Sequence, residues 1–134
     1  MKEIIKHYDL LIDEGNDPVN DPIELKEYMD QWDGKVFLEA LTATKDKNVL
    51  EIGVGTGRLA VQVIPNCKQF TGIDVSSKTI IRAKEHLSTY SPILICEDFL
   101  SYNFSERFDV IYSSLTFLHI QEKQKALEKV FSLL

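Results

Sequence analysis

The pattern of apolar and polar positions changes character near residue 46 of this chain. Before that point the apolar residues recur at helical spacing. Ile4, Ile5, Tyr8, Leu11 and Ile12 mark one helix over residues 3–14. Residues 15–21 (GNDPVND) are rich in turn formers and read as a loop. Asp21-Pro22-Ile23-Glu24 has the form of a helix start, with Asp21 as cap and Pro22 in the first position. That helix is expected to end near Trp32-Asp33-Gly34, with Asp33 capping a further helix that carries Val36, Phe37, Ala40 and Leu41.

From Lys47 onward short apolar runs alternate with helical patterns. Strands are expected at Asn48–Ile52, Gln69–Asp74, Ile93–Cys96 and Asp109–Ser113. Helices are expected from Gly57 to Ile64, stopped by Pro65, then after a cap at Ser76 with Ile80, Ala83 and Leu87 facing inward. A last helix over Gln121–Leu134 would bury Leu127, Val130, Phe131 and Leu134. Repeated strand–helix units imply an α/β fold, a doubly wound, mainly parallel sheet with right-handed crossovers. In such a sheet ligands sit beyond the carboxyl ends of the strands.

Those ends carry the chemistry. The first strand runs into Gly53-Val54-Gly55-Thr56-Gly57, a turn that lets a ligand lie against the backbone and leads toward a helix N-terminus. Glu51 precedes the turn, Asp74 ends the second strand, Asp98 follows the third, and Ser113 and Ser114 follow the fourth. All collect around one crevice. A carboxylate ending the second strand is placed to accept hydrogen bonds from ribose hydroxyls. The same glycines also fit a dinucleotide pattern, Gly55-Thr56-Gly57-Arg58-Leu59-Ala60, so an NAD-binding oxidoreductase domain is the rival reading. Glu51 and Asp98 argue against it, because a carboxylate at Glu51 repels a nearby pyrophosphate and suits an ammonium, and Asp98 suits an adenine amino donor.

Composition narrows the partners. The chain has 134 residues, 44% of them hydrophobic and 27% charged, which suits one soluble globular domain. A net charge of -6 argues against nucleic acid as a partner. No apolar run reaches the ~20 residues of a membrane span. The N-terminus mixes charges throughout and shows no secretion signal, and Cys67 and Cys96 lie in apolar contexts. They read as buried, reduced thiols of a cytoplasmic protein.

The chain resembles the S-adenosylmethionine-dependent methyltransferases of the Rossmann-like type. The resemblance rests on Glu51-Ile52-Gly53-Val54-Gly55-Thr56-Gly57, Ile73-Asp74-Val75-Ser76, Glu97-Asp98-Phe99 and Phe108–Ser114 followed by Leu118-His119. It implies a core over residues 46–134 with strand order 3-2-1-4, behind an N-terminal helical lid over residues 1–45. It implies S-adenosylmethionine as cofactor, with S-adenosylhomocysteine as product and a small-molecule methyl acceptor as partner. Gly53, Gly55 and Gly57 would lie against the methionine and ribose, and Asp74, with Val75 beside it, would hold the ribose. Asp98 and Phe99 would receive the adenine, Glu51 would reach the amino end through water, and Ser113 would offer it a carbonyl. Tyr8 and Trp32 would close over the sulfonium from the lid, with Tyr28 as a neighbouring lid aromatic, and His119 is a candidate base; no metal is expected. Arg58 reads as a surface residue. The family's sheet continues past its fourth strand, so this chain is expected to be a fragment. Binding would survive in it without full turnover, and its apolar fourth-strand edge would pair in a homodimer or be covered by the N-terminal helices. A non-catalytic cofactor-binding module or partner subunit is the alternative.

Overall fold

A computed structural model describes residues 1–41 and 45–134. Residues 42–44 of the expected lid region lie outside the described residues. Three helices open the chain: α1 (Lys2–Asp13), α2 (Ile23–Asp33) and α3 (Lys35–Ala40). Then come β1 (Asn48–Ile52), α4 (Ala60–Val63), β2 (Gln69–Asp74), α5 (Ser77–His86), β3 (Ile93–Cys96), β4 (Val110–Tyr112) and α6 (Lys123–Leu133). The four strands form one parallel sheet in the order β3-β2-β1-β4.

β1 is the centre of the sheet and is buried on both faces, which explains its nearly unbroken apolar sequence. Its side chains alternate between two cores. Val49 packs with Phe70, Val63, Ile80, Leu87 and Tyr112 under α4 and α5, and Phe37 of α3 meets Tyr112 edge-on at 5.9 Å. Leu50 and Ile52 pack on the other face with Ile73, Phe99, Phe108, Ala126 and Leu133. A fully buried side chain such as Leu50 contributes about 1.5–3 kcal/mol. Helices on both faces make the sheet doubly wound, as the alternation of elements implied. Among the described residues no helix is long and apolar enough to cross a membrane.

Several local expectations are corrected. Asp21 does not cap α2; Pro22 holds the cap position, and its carbonyl takes the N–H groups of Leu25 and Lys26. Asp33 does not cap α3, because its carboxylate is drawn to Arg58 and Ser114. The helix after the glycines spans one turn, since Gly55 and Gly57 have positive φ and Pro65 sits in the 3-10 turn that follows. In α6 the expected face is rotated. Leu127, Phe131 and Leu134 are exposed, while Ala126 and Leu133 are buried. The Phe108 N–H bonds the Leu133 carbonyl, and Lys129 Nζ donates to the carbonyls of Leu100 and Tyr102 over the rings of Phe99 and Phe104. These contacts turn the 126–129–133 face inward. Cys96 is exposed rather than buried, and Cys67 is half-buried.

The N-terminal helices are docked through acids. Ser76 Oγ donates to Asp9, and Lys78 pairs with Asp13, tying α1 to the start of α5. Asp17 is 3% exposed and accepts from the Thr56 hydroxyl at 2.7 Å, inside the glycine turn. Its second oxygen faces Arg82 and His86 of α5 at 3.5 and 3.3 Å.

Candidate functional site

A cavity of about 560 Å³ opens at the carboxyl ends of the strands, a size suited to a small organic ligand. Each strand delivers one part of its wall. Glu51 is the fourth residue of β1 and borders the cavity. Tyr112, its partner in register on β4, donates its hydroxyl to Glu51 Oε1 at 2.9 Å. Burial holds the Glu51 carboxyl well above the ordinary carboxylate range, against the opposing Tyr112 bond and the Arg58 charge.

The three glycines do different work. Gly55 has φ +59°, and a Cβ there would meet open space, so a ligand can approach its backbone. At Gly53 a Cβ would collide with Thr116, and at Gly57 it would press on Leu87. Gly53 borders the cavity, whereas Gly57 does not. Gly57 therefore serves packing against α5.

Asp74 ends β2 at the cavity. Its carboxylate accepts the Gly55 N–H at 3.0 Å and the Ser76 N–H at 3.1 Å, which ties the glycine turn to the start of α5. Burial raises its pKa, and those N–H groups partly offset the rise. Val75, Asp98 and Phe99 also border the cavity. Asp98 turns its carboxylate to the Ser101 hydroxyl at 3.0 Å, and Phe99 is buried beneath Lys129.

Besides Gly57, three expected residues lie elsewhere. Trp32 is 67% exposed and does not border the cavity, because the face of α2 that turns inward carries Leu25, Met29 and Asp33. Tyr28 is exposed beside it. Ser113 points its hydroxyl to the Ile52 carbonyl at 2.8 Å, and the adjacent Ser114 borders the cavity instead. Tyr8 and His119 do border it, joined by a hydrogen bond of 2.7 Å between Tyr8 Oη and His119 Nε2.

The residues that sequence reasoning missed form a buried ion pair. Arg58 is not a free surface residue. It forks onto Asp33, which is 2% exposed and also accepts the Ser114 hydroxyl at 2.6 Å. Burial alone would raise the Asp33 carboxyl, but the Arg58 and Ser114 bonds outweigh it and hold its pKa below the usual value. This knot joins the end of α2, the glycine turn and the segment after β4. No spacing rule links residues 33, 58 and 114. A second missed feature is Leu115, which takes φ +61° at the cavity wall, a strained conformation for a branched side chain.

The parallel order β3-β2-β1-β4, a glycine turn after β1 and acids within β1, at the end of β2 and after β3 define a Rossmann-like domain with a site for a nucleotide-type ligand. The particular family follows from the sequence itself. The methyltransferase domain family matches residues 49–134, and the chain belongs to it. The chain is 36% identical, over 95 residues, to malonyl-[acyl-carrier protein] O-methyltransferase 1 of Ilyobacter polytropus; the match covers 67% of this chain and 35% of that protein. It is 35% identical to an uncharacterized methyltransferase of Anoxybacillus flavithermus, covering 81% of this chain and 52% of that protein. The structure resembles the N-methyltransferase NodS from Bradyrhizobium japonicum, solved in complex with S-adenosyl-L-homocysteine. There the TM-score is 0.69 at 25% identity, covering 86% of this chain and 58% of that one. The chain thus spans about a third to three fifths of the length of these relatives. The NAD reading loses ground on two counts: the family match, and a four-residue helix whose neighbouring Gly55 N–H is already taken by Asp74.

Proposed function

We propose that this chain is the cofactor-binding part of an S-adenosylmethionine-dependent methyltransferase that acts on a small-molecule acceptor. One observation carries the reading. In a member of the methyltransferase domain family, Asp74, Asp98 and the buried Glu51 converge on one cavity around the open backbone of Gly55. The donor set fits the cofactor. Asp74 would accept from the ribose hydroxyls, and Asp98 from the adenine amino group with Phe99 and Val75 beside the ring. Gly53 and Gly55 would border the methionine portion, with Glu51 reaching its ammonium through water. Tyr8 covers the cavity from α1, so residues 1–45 act as a lid over the core of residues 46–134.

When bound, S-adenosylmethionine supplies an electrophilic methyl group on a sulfonium centre. The chain's own contribution is alignment and exclusion of water. The Asp33–Arg58–Ser114 knot holds the lid helices against the turn, and Tyr8 and His119 close the opening. We place the protein in the cytoplasm on its two free thiols, Cys67 and Cys96. We infer a homodimer through β4, which is an edge of the sheet.

Calorimetry with S-adenosylhomocysteine and NAD tests the assignment. One molecule of S-adenosylhomocysteine should bind per chain. Submicromolar NAD binding with no heat from S-adenosylhomocysteine overturns it.

A further inference from the structure

The cavity extends past the residues that would hold the cofactor. Beyond those residues, α1 contributes Ile4 and Tyr8 one turn apart, α2 contributes Leu25 and Met29, and the segment after β4 contributes Leu115 and Ile120 to the cavity wall. Among these apolar side chains stands the Tyr8–His119 pair, whose rings meet edge to face at 5.5 Å. The proposed cofactor contacts make no use of His119.

Charge limits what can enter. Asp21, Glu51, Asp74, Glu97, Asp98 and Glu122 all border the cavity. Arg58 also borders it, but its guanidinium is committed to Asp33. Among the described lining residues the other fixed cation is the α-amino group of Met1, a residue that is 56% exposed. An anionic acceptor would enter against like charge, and a cationic one would be drawn in. With His119 as the tautomer protonated at Nδ1, the Tyr8 hydroxyl donates to Nε2 and keeps an oxygen lone pair able to accept from an incoming N–H. Burial and the Asp74 charge raise the Tyr8 pKa, so the phenol stays protonated in this role.

We propose that this outer end is the acceptor subsite and that it takes an apolar amine, with the nitrogen at the Tyr8 hydroxyl and the hydrocarbon against Ile4, Leu25, Met29 and Leu115. Tyr8 touches the amine; His119 is a positioning residue that fixes the direction of the Tyr8 hydroxyl. The inference rests on the cofactor reading above, since it assigns the space that the cofactor would leave.

The test uses the full chain saturated with S-adenosylhomocysteine at pH 7.5, titrated with hexylamine and with hexanoate and followed by NMR. Hexylamine should bind at least tenfold more tightly than hexanoate and should shift the ring signals of Tyr8. His119→Leu should reduce the amine-to-carboxylate ratio below threefold, whereas His119→Gln, which keeps a hydrogen-bond acceptor, should preserve most of it. Hexanoate binding as well as hexylamine in the unaltered chain overturns the proposal, and so does a ratio that both variants leave unchanged. If S-adenosylhomocysteine fails to bind at all, the cofactor reading falls and takes this inference with it. If it binds and only the ratio fails, the cofactor reading stands alone.

Discussion

Asp74→Ala is the most informative single change. In the native chain the carboxylate holds two backbone N–H groups, at 3.0 Å from Gly55 and 3.1 Å from Ser76, and faces the cavity with its remaining lone pairs. Removal deletes the acceptors proposed for the ribose hydroxyls and loosens the turn that carries Gly55. Hydrogen bonds to a charged group are worth about 1.5–3 kcal/mol each, part of which stability rather than binding absorbs. A loss of about 1–3 kcal/mol in affinity for S-adenosylhomocysteine is expected, or roughly 5- to 150-fold in Kd. Calorimetry reads it directly. The raised pKa of Asp74 adds a second signature. Only the ionised carboxylate accepts from both hydroxyls, so affinity should fall as pH is lowered through that raised pKa. An exposed aspartate would produce the same fall at lower pH. Asp74→Asn should flatten the dependence. An affinity within twofold of native, with the native pH profile kept, refutes the ribose role.

Other expectations follow from the buried charges. Arg58→Ala strands the Asp33 carboxylate, and urea unfolding should show a loss of about 2–4 kcal/mol, less than for a fully buried pair because Arg58 is partly exposed. Glu51→Gln keeps an acceptor for Tyr112 and removes a carboxylate whose folded pKa is raised by burial. The native group's contribution to stability is present at low pH and is lost as pH rises through the folded value. The variant should therefore melt above the native chain at pH 8, with the gain vanishing toward pH 4; an equal gain at both pH values contradicts the assignment. For the homodimer, light scattering should show a mass that rises with concentration. A native chain that stays monomeric at the highest attainable concentration excludes the pairing.

Much of the framework was legible from the pattern of residues. Asn48–Ile52, Gln69–Asp74 and Ile93–Cys96 stand where the apolar runs place them, because strands buried on both faces must be apolar throughout. Ser76 caps α5 through its bond from Thr79. Elements governed by distant contacts were not legible. The inward face of α6 is set by Lys129 reaching carbonyls in the segment after β3, and Asp33 leaves the expected cap for a partner 25 residues away. The site divides in the same way. Glu51, Asp74 and Asp98 border the cavity because each sits at or beside the carboxyl end of a strand. Trp32 depends on the rotation of α2, which no local signal fixes. Ser113 and Ser114 follow the end of β4, where the Ser113 hydroxyl turns to the Ile52 carbonyl and the Ser114 hydroxyl to Asp33, and no local signal fixes which of the two borders the cavity.

A crystal structure of the chain with S-adenosylhomocysteine tests the central claim most directly. The account predicts the ligand in the cavity at the strand ends, its ribose hydroxyls within hydrogen-bond distance of Asp74 and its backbone contact at Gly55. A ligand bound elsewhere, or one in this cavity whose ribose turns away from Asp74, contradicts it.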